Sequence, residues 1–311
     1  MRKWLGAALA AIAVLLASLG AAPALGAASG VTITVLSTFP VGQAPSSAAA
    51  TNTGDVVVPA AVGRVVSVSP TGKQKVFGVA LPLGEFGIGA IGMAYDNHHQ
   101  LYAAVPQGAP GLPGIYKISA NGNQATPVPG SEGMVAADGM GLDSATGYVY
   151  ATDIFGGAIW RVTPGGGSAE LWTSHATNPL IVEPDGVKVL GNTVYVSDSG
   201  RILTIPLNPD GSAGTATVWA TPGGFTDDMV IDPRTGDVYV TRLDNDTLLQ
   251  ITPDGTTTVI ASNADGLLGA ANMTLIDEDH RTIIYLANGG QPFFSTNTTG
   301  FGPALLKITI S

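Results

Sequence analysis

The chain has 311 residues, no cysteine, and 23 acidic against 13 basic side chains, a formal net charge of −10 at pH 7. Without cysteine there is no disulfide, no lipid-anchoring thiol, no thiolate nucleophile and no cysteine-bound zinc, and the acidic balance argues against nucleic acid as a partner. With 42 Gly and 21 Pro but 45% hydrophobic residues, the composition is that of a turn-rich folded protein and not of a disordered one.

The N-terminus reads MRKWLGAALAAIAVLLASLGAAPALGA: Arg2 and Lys3, an apolar stretch from Leu5, then small residues. This is the pattern of a secretory signal peptide and is too short for a lasting membrane span. Residues 1–27 are therefore expected to be removed. That leaves one domain over residues 28–311, secreted or periplasmic, without a membrane anchor. Its formal charge becomes −12, with 11 basic residues against 23 acidic ones.

A repeat dominates residues 28–311. Val57, Tyr102, Tyr150, Tyr195, Tyr239 and Tyr285 lie in similar short apolar runs at spacings of 45, 48, 45, 44 and 46 residues. Each copy holds four runs of β-branched and aromatic residues, clearest in the third as GMGLD, YVYATD, AIWRVT and AELWTS, separated by SATG, GG and PGGG. Runs this short, broken by turn residues, are strands. Six copies of four strands predict an all-β, six-bladed β-propeller with four antiparallel strands per blade. VTITVLST at residue 31 has no blade of its own and the last copy lacks an outer strand, so the N-terminal strand is expected to complete the C-terminal blade. Trp160, Trp172 and Trp219 fall on third or outer strands and read as packing.

The innermost strand of a blade begins at one mouth of the central channel. Aligning AIGMAYD, ADGMGLD, PDGVKVL, TDDMVID and ANMTLID places Ile91, Asp138, Asp185, Asp227 and Asn272 at one ring position, with Ser46, or Ser47 after a one-residue slip, in the first copy. Asp before Gly is common turn chemistry, but a turn does not require an acid at the channel in three consecutive copies. Like charges this close repel by several kcal/mol at an effective dielectric of about 20, and a hard cation relieves that. Asp138, Asp185, Asp227, Asn272 and Ser46 are thus candidate metal ligands; an oxygen-only set suits calcium better than zinc, with magnesium or manganese as alternatives. Asp228 stands where three other copies have glycine.

At PDGVKVLGNTVYVSDSG and DDMVIDPRTGDVYVT the chain resembles the six-bladed propellers of the senescence marker protein, gluconolactonase and luciferin-regenerating enzyme group, with paraoxonase and a staphylococcal lactonase as distant relatives. The resemblance implies one divalent cation held by a Glu in the first blade, Asn or Asp in the middle blades and Asp in the fifth. Asp138, Asp185 and Asp227 take the middle and fifth roles, while Ser46-Ser47 stand where the family has its Glu and Asp185 where it often has Asn. It further implies a hydrolase of a small lactone or ester, with Asp227 or Asp228 as catalytic base. The alternative is a non-catalytic binding or scaffold propeller with a vestigial ring. Glu85, Glu132 and Glu183 are loop acids placed to substitute for the missing Glu. The loops PQGAPGLPG, DIFGGA and ANGGQPFFSTNTTGFGPA are expected to form the rim, the last with Phe293 and Phe294.

Other motifs carry less. Gly87 to Gly92 fits G-x-G-x-x-G but leads into a strand instead of opening a helix, and no G-x-S-x-G nucleophile elbow is present. His98-His99 falls in a turn at the far end of the channel, and His175 and His280 read as surface residues. Asp244-Asn245-Asp246 has part of a calcium-loop pattern but lacks its glycine and distal Glu.

Overall fold

The computed structural model describes residues 28–51, 53–60, 63–81, 89–106, 113–278, 280–292 and 294–311. Residues 1–27, Glu85, the first glycine of G-x-G-x-x-G, most of the PQGAPGLPG loop and Phe293 lie outside the described residues.

Six four-stranded antiparallel sheets account for the described strands, and the chain is a six-bladed β-propeller. The innermost strands are Ala49–Ala50, Gly92–Tyr95, Ala137–Leu142, Pro184–Leu190, Thr226–Ile231 and Ala270–Glu278, in blades one to six. In five blades the four strands follow in sequence order from the axis outward. Blade six consists of Ala270–Glu278, Arg281–Asn288 and Ala304–Ile310, with Val31–Thr38 added as its outer strand. That strand pairs with the C-terminal one from Val31↔Ile310 to Thr38↔Ala304, so the two ends of the chain close the ring as the sequence predicts.

No single core holds this together. The buried apolar residues form six clusters, one at each seam between neighbouring blades. The strand period of two explains how one strand serves two seams. Leu101, Ala103 and Val105 face blade one, while Tyr102 and Ala104 face blade three. The repeat tyrosines 102, 150, 239 and 285 are among the largest fully buried side chains, and Tyr150 and Tyr195 meet Trp172 and Trp219 edge-on at 5.0 and 5.6 Å. A closed ring of seams fails at its weakest joint, and the non-covalent closure in blade six is the natural candidate.

Leu306, fully buried in the seam between blades five and six, is expected to cost about 2–5 kcal/mol when replaced by Ala, while deleting the chain through Thr38 removes cooperative unfolding altogether. Urea denaturation followed by far-ultraviolet circular dichroism checks both, and a truncated chain that unfolds like the complete one contradicts the closure.

Candidate functional site at the channel mouth

Each of blades three to six has an irregular register where its innermost strand begins. The pairs Ala137↔Asp153 and Met140↔Ala151 leave Asp138 and Gly139 opposite the single residue Thr152. Likewise Asp185-Gly186 lie opposite Ser197, Asp227-Asp228 opposite Thr241, and Ala271-Asn272 opposite Ala287. These are β-bulges, which bend the strand and re-aim the extra side chain. The buried hydroxyls facing them reach across the seams. Thr152 donates to the carbonyl of Asp185, Ser197 to that of Asp227, and Thr241 to that of Ala271 (3.2 Å).

This corrects the alignment. The position equivalent to Asp138, Asp185 and Asp227 in blade six is Ala271, and Asn272 is equivalent to Gly139, Gly186 and Asp228. The sequence frames slip by one residue because ANM has neither an acid at the first bulge position nor a glycine at the second to mark the register. Asn272 still reaches the channel: its Nδ2 donates to the carbonyl of Ile91 at 3.0 Å, two blades away. Ser46 donates to the carbonyl of Ala90 at 2.6 Å, tying blade one to blade two.

Glycine at the second bulge position is required by packing. A Cβ on Gly139 would stand 2.3 Å from the carbonyl oxygen of Asp185, and one on Gly186 would stand 2.8 Å from Cα of Asp228. Asp228 therefore breaks the pattern, and it is not a free carboxylate. Lys188 Nζ donates to its Oδ1 at 2.6 Å and to the carbonyl of Met140 at 3.0 Å, while the amide of Met273 donates to its Oδ2 at 3.2 Å. One ammonium thus ties blades three, four and five, and the carboxylate carries the tie into blade six. Sequence reasoning missed Lys188, although it is a lone charge in the run VKVL where the other copies have uncharged residues.

Asp138, Asp185 and Asp227 are brought together and are almost wholly buried. Burial, followed by the charges of Asp227 and Asp228, holds Asp138 well above the usual carboxylate range. Burial likewise raises Asp185, helped by Asp138 and Asp227. Asp227 is pushed up to about 7, chiefly by burial; a hydrogen bond from the Asp185 carboxyl works in the opposite direction. The two carboxyls are thus close enough for the protonation of one to depend on the other.

Five buried side-chain nitrogen or oxygen atoms have no hydrogen-bond partner among the described residues. Four of them are Asp138 Oδ1, Asp185 Oδ1, Asp227 Oδ2 and Asn272 Oδ1. Unpartnered buried oxygens are rare and call for a ligand, and four of one chemistry at one channel fit a hard cation. Yet among the described residues no group of three or more His, Cys, Asp or Glu is already arranged around a metal position.

The remaining candidates have structural partners. Glu132 accepts from the amide of Gly130 at 2.6 Å and Glu183 from the hydroxyl of Ser199 at 2.9 Å. Asp244 pairs with Arg242, and Asp246 accepts from the amide of Gly269, from Ser295 and from Asn297, so the partial calcium loop anchors the segment between the second and third strands of blade six. His98 and His99 lie in an exposed turn. Two surface hollows, one beside the outer strand of blade six and one between blades three and four, are lined by no titratable side chain.

No family model matches the sequence, and no curated protein sequence matches it. Among solved structures the chain is similar to a gluconolactonase from Xanthomonas campestris, with 17% identity, a TM-score of 0.66, and coverage of 94% of this chain and 99% of that one. It is also similar to a virginiamycin B lyase from Staphylococcus aureus, with 12% identity, a TM-score of 0.59, and coverage of 90% and 100%. A third likeness is to the PQQ-bound form of an aldose sugar dehydrogenase from Streptomyces coelicolor, with 15% identity, a TM-score of 0.62, and coverage of 92% and 100%. A hydrolase, a lyase and a dehydrogenase share this architecture, so the likeness is one of fold and the chemistry must be argued from the site.

This geometry has two measurable outcomes. Because the native acids have raised pKa values, the folded chain binds more protons than the unfolded one, and their contribution is complete below about pH 4 and lost as pH rises through about 7. In EDTA the melting temperature is expected to fall from pH 5 to pH 8, and less so in Asp227→Asn; a rise would contradict the assignment. Lys188→Met strands a buried carboxylate and is expected to cost about 3–5 kcal/mol, less some solvent screening of the part-exposed ammonium. Lys188→Met with Asp228→Asn should recover most of that in urea denaturation.

Proposed function

We propose that the protein is a hydrolase of small lactones or esters acting at the channel mouth, exported and freed of residues 1–27. The observation that carries this reading is the buried cluster of Asp138, Asp185 and Asp227, in which Asp227 is poised near pH 7, where a general base works best.

Asp227 takes a proton from water as the water oxygen bonds to the substrate carbonyl carbon. Asp185 orients Asp227 through their shared hydrogen bond. When the tetrahedral species collapses, the ring or ester C–O bond breaks and Asp227 returns its proton to the departing alkoxide, leaving a hydroxyacid, or an acid and an alcohol. Asp228 is held by Lys188 and does not serve as the base; the pair fixes the strand entries from which Asp185 and Asp227 project. Asp138, Asp185 and Asp227 with the Asn272 carbonyl would hold a divalent cation, calcium before magnesium or manganese, and such an ion when bound supplies polarisation of the carbonyl. The Xanthomonas gluconolactonase of similar fold lends the reading support. A small molecule is the partner; nucleic acid and a membrane anchor are not part of the reading.

A second reading, a binding propeller without catalysis, is favoured by one observation: the chain neutralises one of its own channel acids with Lys188.

Hydrolysis of a lactone and aryl-ester panel by the mature protein, with EDTA or with calcium, separates the two. The hydrolase reading expects turnover that falls about 100-fold or more in Asp227→Asn, and calcium should raise the melting temperature in the native chain but not in Asp185→Asn. Absence of turnover under all conditions contradicts it, and ligand binding without turnover establishes the second reading.

A further inference from the structure

The mouth face has a second property that the acids do not explain. In each blade the entry loops and the loops between second and third strands lie at this face, and the other two turns lie at the opposite one. Of nine exposed large apolar residues among the described ones, five belong to the mouth face: Val41, Val135, Phe155, Val182 and Phe294. The other four lie on outermost strands, and the turns of the opposite face carry none among the described residues.

Two of the five are mounted by the fold. Val135 and Val182 each stand three residues before a channel acid, and their amides donate to the buried carboxylates of Asp153 and Asp198 at 2.9 and 2.7 Å. The equivalent residue in blade six is Leu268, whose amide donates to Asn288 at 2.8 Å. Leu268 is buried, because the chain covers it with its own 289–303 loop: a Cβ on Gly300 would stand 2.7 Å from Cβ of Leu268. The same loop sets Phe294 against Phe225 with ring centroids 4.8 Å apart, and Phe225 directly precedes Thr226-Asp227. Asp246, fully buried, holds the loop through Ser295 and through Asn297 at 2.8 Å.

The rim therefore repeats one apolar position in three blades, covered by the protein in blade six and left open in blades three and four, three residues from Asp138 and Asp185, while blade five has Gly224 there. We infer that the open positions, with Phe155 and the Phe225–Phe294 pair, receive an alkyl or aryl substituent of the substrate, so that the site takes apolar-tailed lactones or esters in preference to polyhydroxylated ones. The inference rests on the hydrolase reading for the reacting group and on the rim alone for the tail. Electrostatics agrees: a chain of net charge −10 disfavours anionic substrates and leaves a neutral, apolar one unopposed.

Calorimetric binding of non-hydrolysable γ-lactams with alkyl tails of increasing length tests this without requiring turnover. Affinity is expected to rise about threefold per methylene over the first few carbons. The rise should flatten in Phe294→Ser and in Val135→Ser with Val182→Ser, exposed changes whose folding circular dichroism checks. Equal affinity for short and long tails, variants that bind like the native chain, tighter binding of a polyhydroxylated lactam, or binding to neutral phosphatidylcholine vesicles in place of any lactam response would each overturn it. Parallel hydrolysis of the matching lactones keeps the two ideas apart. Tail-dependent binding without turnover sinks the hydrolase reading alone, and turnover indifferent to the tail sinks this one alone.

Discussion

One extra residue at the entrance of each innermost strand in blades three to six governs the channel. An unbulged strand would direct alternate side chains into the two seams, where an acid would lie in hydrocarbon. The bulge turns the first extra residue toward the axis, and the Thr or Ser opposite it commits its hydroxyl to the next blade's carbonyl in three of the four seams. Adjacent bulges then come so close that glycine is needed at Gly139 and Gly186. The carboxyls of Asp138, Asp185 and Asp227 are consequently crowded by the backbone and cannot separate to relieve their repulsion.

Three acids in that position have few options. They share protons, bind a cation, or are neutralised by the chain. The raised carboxyls of Asp138, Asp185 and Asp227 favour the first, the unpartnered oxygens leave room for the second, and the neighbouring Asp228 takes the third through Lys188. The same crowding that makes the cluster costly gives Asp227 a proton affinity suited to neutral pH. Lys188 limits the cost by partnering the fourth acid, Asp228, whose charge still acts on the other three, and by tying the strand entries together.

Most of the fold is legible in the sequence, because the 45-residue period and the turn residues between strands are local signals and the orphan strand at the N-terminus has only one blade left to complete. The ring is legible as a set of acids, since Asp138, Asp185 and Asp227 recur in register. Its details are not. Strand alternation places Asn272 one position off because a bulge is invisible to it; the seam hydroxyls, not the acids, define the correct register. Asp228 reads as an extra catalytic acid because its partner, Lys188, lies 40 residues earlier, and only closure of the propeller brings the two within 2.6 Å. The apolar rim is half visible: Phe294 stands out in a long loop, whereas Val135 and Val182 acquire meaning only beside the covered Leu268.

The channel carboxyls, raised by burial, are expected to keep protons at neutral pH until a ligand displaces them. Infrared spectroscopy of residues 28–311 at pH 7 detects such protons. A protonated-carboxyl carbonyl band is expected, reduced in Asp185→Asn and discharged by calcium, with protons released to the medium. A spectrum in which every Asp and Glu is ionised at pH 7 without any cation would contradict it.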